Sequence, residues 1–395
     1  MSKILVVGAG FAGAVAAREL AEAGHEVLVI DKRNHVAGNA YDYVNEHGIR
    51  VHKYGPHLWH TNNEEAHNWF SQFTDWVDYK HYVKAQLPDG RHVPLPINVT
   101  TINEVFHVNV GSEYTNFDTA EQFLDAKRVK LDHEPQNSRE LIESSVGTEL
   151  CELFFAPYTK KMWGMDLSEL PCGVANRIPT KTDNDPYYFP KDKFQGMPKD
   201  GYTAAFEKIF DHPNITISLN TTREDLPQYS GLEMTRIIPG WEDVKFDAVF
   251  TSEPIDVYFD CCLGELPWRS IKFHTYSLPI PQALQAPVVN FTHDGPCTRV
   301  TEWKQIPGHG DNPYWTTLTF EEPCDYRDNN MERYYPVKTA NEVDENRELY
   351  KKYRDMAEEA GVHFIGRCGM YVYTDMAPCV SSTLSGIRNF LREQR

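Results

Sequence analysis

The sequence has little positive charge and no feature typical of a membrane or secreted protein. It contains 39 lysines and arginines against 57 acidic residues, which gives a formal net charge of −18. Nucleic acid and anionic membranes are therefore unfavourable partners, because like charges repel at long range. No run of eighteen apolar residues occurs, and Met1-Ser2-Lys3 runs straight into the first strand-like segment, so we expect no leader. We therefore predict a cytoplasmic protein.

Metal-binding and disulfide patterns are also missing. The eight cysteines are scattered without a C-x-x-C pair, so we expect small core residues in a reducing compartment. His57 and His60 have H-x-x-H spacing near His52, but Gly55 and Pro56 break the helix that would direct both rings at one metal. We predict no metal site. No P-loop, Ser/His/Asp order or paired-carboxylate spacing stands out, so nothing indicates a nucleophile supplied by the protein.

The most informative pattern that is present is a glycine-rich turn near the start of the chain. Lys3–Val7 has the short apolar composition of a buried parallel strand. Gly8, Gly10 and Gly13 follow it as G-x-G-x-x-G. Glycine at these positions allows a tight turn, close approach of the backbone to a pyrophosphate, and close helix–strand packing.

The residues after this turn complete a dinucleotide-binding unit. A helix over residues 14–23 would present its free N–H groups to phosphate oxygens. A second strand over Val27–Ile30 then ends at Asp31, eighteen residues after the last glycine, near the spacing of a ribose-binding acid. The pattern predicts a bound dinucleotide, and the alternative is a structural turn without a ligand.

The rest of the chain alternates between helical and strand-like patterns, so we predict an α/β fold. A Rossmann-type domain would be interrupted by a helical insert and an antiparallel β-sheet domain. We expect the Rossmann-type domain over residues 1–80, 201–263 and 341–395, sheet strands over 81–100, 180–200 and 264–340, and the helical domain over 101–179. Three sequential domains are the alternative, although the strand and helix at the C-terminal end would then have no partner sheet.

Local patterns give more detailed expectations. Residues 63–79 have a helical period, and Asp118 and Ser138 are the expected N-caps of two later helices. Residues 171–198 are rich in proline and aromatic residues and are expected to be extended. A final helix is expected over Ala377–Arg395.

Several segments combine aromatic residues with isolated arginines. The aromatic residues of 154–164 could stack on a base or a sugar, although capping of the helical core is the simpler interpretation. Arg177 and Arg299 lie in extended, mostly uncharged settings. An arginine on a sheet usually forms a surface ion pair, whereas one among apolar residues more often faces a carboxylate or phosphate, because a buried guanidinium needs a partner.

Together these residues resemble the bacterial type of the UDP-galactopyranose mutase family over essentially the whole chain. The number, order and spacing of the matching segments make the resemblance specific. The segments are GAGFAGAV, IDKRNHVAGNAYD, HKYGPHLWHT, LPIN, PYTKKMWG, NRIPTKTDNDPYYFPKDKFQGMPKDGYT, VVNFT, TRVTEW, YYPV and GRCGMYVYTDM. The resemblance implies an FAD domain similar to that of flavin amine oxidases, with an added helical domain and antiparallel sheet.

The resemblance also implies an activity. It predicts an isomerase that interconverts UDP-galactopyranose and UDP-galactofuranose, the furanose donor for surface glycans. Its cofactor would be reduced FAD, whose N5 attacks the anomeric carbon without net redox change, and NAD(P)H would be the external reductant. A homodimer is expected. A flavin-dependent amine oxidase or dehydrogenase is one alternative, and a non-catalytic nucleotide-sugar-binding flavoprotein is another.

A set of site residues follows from the same resemblance. The residues expected to hold FAD are Gly8, Gly10, Phe11, Gly13, Asp31, Lys32, Asn39, His57, Leu58, Arg367, Asp375 and Met376. Those expected to line the uridine and sugar pocket are Phe154, Tyr158, Thr159, Trp163, Tyr188 and Asn290. Arg177 and Arg299 would clamp the diphosphate as the catalytic arginines, with Tyr335 and Tyr373 as hydroxyl donors. A mobile loop is expected near residues 163–180.

The chain departs from the family pattern at three positions. Ala37 and Ile365 stand where family members usually have glycine, and Met162 stands where glutamine is common. We expect a negative φ at Ala37 and Ile365, because residues with a Cβ rarely adopt positive φ. The contacts of these two loops with FAD are therefore expected to differ, whereas the Met162 change affects only the loop surface.

Overall fold

The computed structural model describes residues 1–175, 179–226, 238–241, 244–338 and 345–394. Its strands are β1 Lys3–Val7, β2 Glu26–Asp31, β3 Asp42–Val44, β4 Arg50–His52, β5 Trp59–Thr61, β6 Trp76–Asp78, β7 Val83–Gln86, β8 His92–Leu95, β9 Phe194–Pro198, β10 Ile215–Leu219, β11 Ala248–Thr251, β12 Trp268–Leu278, β13 Val288–Phe291, β14 Arg299–Glu302, β15 Thr316–Asp325, β16 Tyr335–Pro336 and β17 Val362–Phe364. Its α-helices are α1 Phe11–Glu22, α2 Glu64–Phe70, α3 Val99–Phe106, α4 Ala120–Lys127, α5 Ser138–Val146, α6 Thr148–Leu150, α7 Ala156–Trp163, α8 Cys172–Ala175, α9 Gly201–Phe210, α10 Ile255–Tyr258, α11 Glu345–Ala360, α12 Gly366–Gly369 and α13 Met376–Glu393.

A parallel sheet forms the first layer of the molecule. Its described strands follow the order β10-β2-β1-β11-β17, so it combines segments from the beginning, middle and end of the chain. The central strand is apolar on both faces, and Ile4, Leu5 and Val6 are fully buried. The alanine-rich helix α1 packs against this sheet and against α13. This arrangement confirms the predicted Rossmann-type domain, which needs strands that are covered on both faces.

A larger, mainly antiparallel sheet forms the second layer. Its described strands follow the order β16-β12-β15-β14-β13-β7-β8, and only the β13–β7 pair among them is parallel. The predicted hairpin over 81–100 supplies β7 and β8 at one edge. Apolar residues of α3 to α6 and of the turn before α7 pack on that edge in one cluster. The α/β fold class with a helical insert and an antiparallel sheet is thus confirmed, while the individual domain boundaries stay predictions.

Several local expectations are corrected. The N-caps of α4 and α5 are Thr119 and Asn137, each one residue away from the predicted Asp118 and Ser138. The helix predicted over 63–79 ends at Phe70, because residues 76–78 form β6 and pair with β9. Residues 171–198, which were expected to be extended, contain the short helix α8 as well as β9.

Other element boundaries agree closely with the sequence patterns. The strand β1 has the predicted bounds, and α13 begins one residue before the predicted final helix. Within the described part of the chain, no helix is both long and apolar enough to cross a membrane.

Candidate active site

A cavity of about 530 Å³ opens at the carboxyl ends of β1, β2, β10 and β11, where ligands of open α/β sheets usually bind. Gly8 and Gly10 form its floor, and Gly10 is the N-cap of α1 without a side-chain capping bond. A Cβ added to Gly8, which has φ +103°, would lie 2.0 Å from the Ser252 hydroxyl oxygen. The turn therefore leaves no room for a side chain at Gly8, which suits close approach of a pyrophosphate at a helix N-terminus.

Most of the residues expected to hold FAD line this cavity. They are Gly8, Gly10, Phe11, Asp31, Lys32, Asn39, His57, Arg367, Asp375 and Met376. Gly13 does not line it. A Cβ there would lie 1.8 Å from the Gly8 carbonyl oxygen, so Gly13 allows α1 to pack closely on the turn. Leu58 lies instead in the second cavity described below.

Asp31 supports the glycine turn through its backbone contacts. One carboxylate oxygen accepts the Ala9 N–H at 2.7 Å, and the other accepts the Arg33 N–H at 2.8 Å. The residue is buried yet borders the cavity, which places its carboxylate where a ribose-binding acid is expected.

An ion-pair cluster that the sequence analysis missed closes one side of the cavity. Glu332 pairs with Lys32 at 3.0 Å and with Arg33 at 2.8 Å. Burial alone would raise the pKa of Glu332, but the two cations lower it below its ordinary value. Arg33 also lies over the Tyr54 ring at 4.2 Å. Because Glu332 is about 300 positions away in the sequence, no local pattern connects it with the two cations.

The expected negative φ at Ala37 is wrong. Ala37 has φ +70°, and its carbonyl oxygen accepts the Ala40 N–H at 2.9 Å in the short turn that follows. This turn keeps the left-handed conformation despite the Cβ, which costs about 1–2 kcal/mol. Ile365 has the expected negative φ of −130°. The loop at Ala37 therefore keeps the backbone path that glycine would give, and Ala37 lines the cavity.

A second cavity of about 300 Å³ adjoins the first. Both are lined by His57, Arg367, Asp375 and Met376. The predicted substrate residues in the described part of the chain all line the second cavity; they are Phe154, Tyr158, Thr159, Trp163, Tyr188, Asn290, Arg299, Tyr335 and Tyr373. Arg177 lies outside the described residues.

Three neighbouring strands place polar side chains side by side in this second cavity. Asn290 of β13 is directly opposite Arg299 of β14, which in turn is opposite Glu321 of β15. Arg299 Nε lies 2.8 Å from Glu321 Oε1, and Glu321 is only 1% exposed. Burial alone would lower the pKa of Arg299, but the Glu321 carboxylate raises it above its usual value, so the guanidinium stays charged. Among the described residues, the buried Asn290 Oδ1 has no hydrogen-bond partner and is available to a ligand donor.

Aromatic side chains line the helical side of the cavity. A π-helical turn over Cys151–Phe155 precedes α7, and such turns are frequent at functional sites. The Trp163 ring at the end of α7 lies 6.4 Å from the ring centroids of both Tyr335 and Tyr373. Burial raises the pKa of Tyr158 to about 12 and also raises the pKa of Tyr335. These two hydroxyls therefore remain protonated donors near neutral pH.

The wall shared by the two cavities carries one cation and one neutral imidazole. Arg367 donates to the Thr374 carbonyl and lies about 5 Å from the Tyr335 and Tyr373 rings. Burial alone would lower the pKa of Arg367, but the neighbouring tyrosines raise it. Burial lowers the pKa of His57 to about 4, although its contact with the Gly55 carbonyl opposes this.

The histidines with metal-like spacing face different partners. His52 contacts His309, His57 contacts the Gly55 carbonyl, and His60 contacts Asp192 at 2.7 Å. Across the described ranges, no group of three or more His, Cys, Asp or Glu side chains is placed to hold a metal ion.

The fold and the two adjoining cavities define a flavoprotein enzyme built on a Rossmann-type domain. Residues 6–73 match the model of an NAD(P)-binding Rossmann-like domain, and residues 153–373 match the model of UDP-galactopyranose mutase. The chain belongs to the UDP-galactopyranose mutase family and is an enzyme of the isomerase class.

Similar proteins match nearly the full length of the chain. A probable UDP-galactopyranose mutase from Klebsiella pneumoniae is 36% identical over 391 residues, which cover 98% of this chain and 94% of that protein. A dTDP-fucopyranose mutase from Escherichia coli is 32% identical over 401 residues, which cover 100% of each chain. A crystal structure of reduced UDP-galactopyranose mutase shares the fold, with a TM-score of 0.71 at 15% identity, and the match covers 99% of this chain and 96% of that one.

Proposed function

We propose that the protein interconverts UDP-galactopyranose and UDP-galactofuranose with reduced FAD and no net redox change. The observation that carries this proposal is the common wall of the two cavities. The dinucleotide cavity and the cavity lined by Arg299, Tyr335 and Tyr373 are both bordered by His57 and Arg367. One cofactor and one phosphate-bearing substrate can therefore meet there.

The cofactor cavity has the groups that FAD needs. Gly8 and Gly10 would hold the pyrophosphate at the start of α1, and Asp31 would accept a ribose hydroxyl. Lys32 and Arg33, held by Glu332, would fix the adenosine side of the cavity. The cofactor would then extend towards the second cavity.

The second cavity has the groups that a nucleotide diphosphate needs. Arg299 provides a permanent charge and a planar fork that matches phosphate geometry, and Glu321 fixes its orientation. Tyr335 and Tyr373 would donate hydroxyl hydrogen bonds to the same group, together with Arg177. As the bond between the anomeric carbon and the diphosphate breaks, negative charge grows on the leaving oxygen, and these donors stabilise it. They also allow a protein with a net charge of −18 to bind an anionic substrate.

The described side chains of the second cavity include few candidates for a nucleophile. None of the described residues that line the second cavity is a cysteine, serine or lysine, and two of its tyrosines, Tyr158 and Tyr335, are protonated. Its carboxylates are Glu321, which is paired with Arg299, and Asp375 at the shared wall. Reduced flavin supplies this chemistry when bound, because its N5 is an amine that can attack the anomeric carbon. The protein binds and orients the sugar and shields it with the aromatic wall.

An amine oxidase or dehydrogenase is a poorer match to the same geometry. A cationic amine would meet Arg299 and Arg367, both kept charged, at the place where it should react. The family resemblance further supports NAD(P)H as the external reductant, a homodimer in the cytoplasm, and a role in surface glycan synthesis, which we propose as parts of the same function.

The cofactor and the redox balance can be tested together. The purified protein should be yellow and release FAD, rather than FMN or NAD, when denatured. Sugar-nucleotide turnover should require prior reduction yet consume no reductant per product formed. A colourless protein that cannot be reconstituted with FAD would refute the cofactor assignment. One reductant oxidised per product would instead indicate an ordinary oxidoreductase.

A further inference from the structure

Two buried histidines that line neither cavity form a direct contact behind the shared wall. His52 ends β4, and His309 follows the turn after β14. Their Nε2 atoms lie 3.0 Å apart, and the two residues are 0% and 2% exposed. At this distance one ring nitrogen must donate and the other must accept.

A backbone amide determines which nitrogen carries each proton. The His57 N–H donates to His52 Nδ1 at 3.1 Å, and an amide N–H can only donate. The proton of neutral His52 is therefore on Nε2, from which it is donated to His309 Nε2. The proton of His309 is then on Nδ1, which lies 3.2 Å from the Pro307 carbonyl oxygen. The resulting chain of hydrogen bonds connects the loop at Pro307 with the amide of His57, and every contact in it is satisfied.

The surroundings of the pair favour this neutral state. The Trp303 ring lies 4.8 Å from the His52 ring, and Tyr202 meets it edge-on at 5.7 Å. The charged groups that face the pair are Arg50 and Asp42, which lie 3.4 Å from each other. Burial, followed by the neighbouring histidines and Arg50, lowers the pKa of His52 well below its usual value.

Burial likewise lowers the pKa of His309 to about 4, although the Pro307 carbonyl and Asp42 oppose this. An added proton on His52 Nδ1 would face the His57 N–H, and one on His309 Nε2 would face the proton on His52 Nε2. Both rings are therefore neutral over the range in which the enzyme is expected to work.

We propose that His52 and His309 are positioning residues, which hold the backbone amide of His57 and thereby fix the loop at the wall shared by the two cavities. The imidazole of His57 is held separately, through its own contact with the Gly55 carbonyl at 2.9 Å. His52 therefore fixes the backbone of the loop, and His309, by accepting from His52 Nε2, stabilises the ring orientation and tautomer of His52 that make this contact. The kinetic consequence rests on the proposed substrate and reaction, whereas the effect on the bound flavin rests only on the proposed cofactor.

Two substitutions of His52 separate its two contacts. In His52→Asn the carboxamide oxygen can take the place of Nδ1 and accept the His57 N–H, but the contact with His309 is lost. In His52→Gln the longer side chain can reach His309, but the His57 amide is left without its acceptor. Both variants lose the ring, so their core packing is disturbed to a similar extent. The measurements are the visible absorption spectrum and reduction potential of the FAD-loaded protein, its melting temperature, and kcat and KM for UDP-galactofuranose.

His52→Gln should shift the flavin spectrum and lower kcat by about tenfold to a hundredfold, with a smaller change in KM, since misplacing a group by about 1 Å can cost that much. His52→Asn should recover most of both signals, although it melts no higher than His52→Gln. Equal spectra and equal kcat for the two variants would overturn the proposal and leave the pair a structural role only.

A second pair of variants covers the case in which His52 cannot be replaced without unfolding. His309→Gln can still accept from His52 Nε2, whereas His309→Asn is too short to do so. The Asn variant should show the shifted flavin spectrum, and the Gln variant should restore it. A shift of equal size in both would refute the tautomer argument. If the spectra behave as expected but no variant, including the wild type, converts UDP-galactofuranose, then the positioning role stands and the proposed function fails.

Discussion

Replacing Arg299 with alanine should damage the protein in two ways that can be separated. The substitution removes a donor from the proposed diphosphate site, and it also leaves Glu321, only 1% exposed, without its cation. Breaking a buried ion pair from one side costs about 3–5 kcal/mol, because an uncompensated charge stays behind. We take the lower end of this range, because the Arg299 side chain borders a cavity and water can reach the vacated space.

The loss of turnover has a different origin from the loss of stability, so a different substitution should be needed to restore it. Removing one charge-assisted donor from a developing negative charge costs about 2–4 kcal/mol, or about 30- to 1000-fold in rate. The double variant Arg299→Ala/Glu321→Gln removes the stranded charge as well as the donor. It should therefore recover most of the lost stability while its turnover stays low. Arg299→Lys should restore activity only in part, because an ammonium cannot form the bidentate contact.

The assay compares the FAD-loaded proteins by thermal unfolding and by turnover of UDP-galactofuranose. The single alanine variant should melt several degrees below wild type, given about 2–4 °C per kcal/mol for domains of moderate size. Two results would refute the reasoning: an Arg299→Ala protein as stable as wild type, or a double variant that regains turnover along with stability.

Three further predictions concern the cofactor turn, the aromatic wall and pH. Gly38→Ala should abolish FAD binding, because a Cβ there would lie 2.8 Å from backbone of the glycine turn; Gly24→Ala, also at positive φ but with open space around it, is the matched control and should keep FAD. UDP should change the tryptophan fluorescence of the protein. Of its eight tryptophans, Trp163 borders the substrate cavity, so Trp163→Phe should remove most of the change. The free energy of unfolding should fall as pH drops from 6.5 towards 4, because burial lowers the pKa values of His57 and His309 to about 4 in the fold, so both rings take up protons first in the unfolded chain. The buried His309 should contribute roughly 3 kcal/mol, and the partly exposed His57 less.

Each of these predictions has a simple contradicting result. Equal FAD content in the two glycine variants would show that the turn tolerates a side chain. An unchanged fluorescence response in the tryptophan variant would assign the signal to another ring. For the pH prediction, urea unfolding between pH 8 and 4 should show a falling midpoint, and a constant midpoint would mean that the buried imidazoles are not neutral in the fold.

Features set by local chemistry could be predicted from the sequence. Gly8 and Gly10 follow an apolar strand and precede an alanine-rich helix, so the turn they form depends on residues close in the chain. Asp31 could be placed for the same reason. Local rules failed where two neighbours were equally suitable: Thr119 caps its helix although the adjacent Asp118 could also do so.

Features set by long-range pairing could not be predicted. Trp76–Asp78 leaves the helical pattern because it pairs with Phe194–Pro198, more than a hundred positions away. Glu321 was missed because it meets Arg299 only through the register of β14 and β15. A strand of alternating residues that carries one inward carboxylate opposite an isolated arginine is a signal that could have indicated the pair. His309 gave no such signal, since it lies in a loop and its partner, in β4, is 257 positions earlier.

The most direct test of the account is to incubate the reduced protein anaerobically with UDP-galactofuranose and separate the sugar nucleotides by chromatography. We expect conversion to UDP-galactopyranose by the dithionite-reduced protein, little conversion by the fully oxidised protein in air, and strongly reduced conversion by Arg299→Ala/Glu321→Gln. Equal conversion by the oxidised protein would contradict the role of reduced flavin. Conversion of a dTDP-fucose substrate without any conversion of UDP-galactofuranose would contradict the proposed substrate.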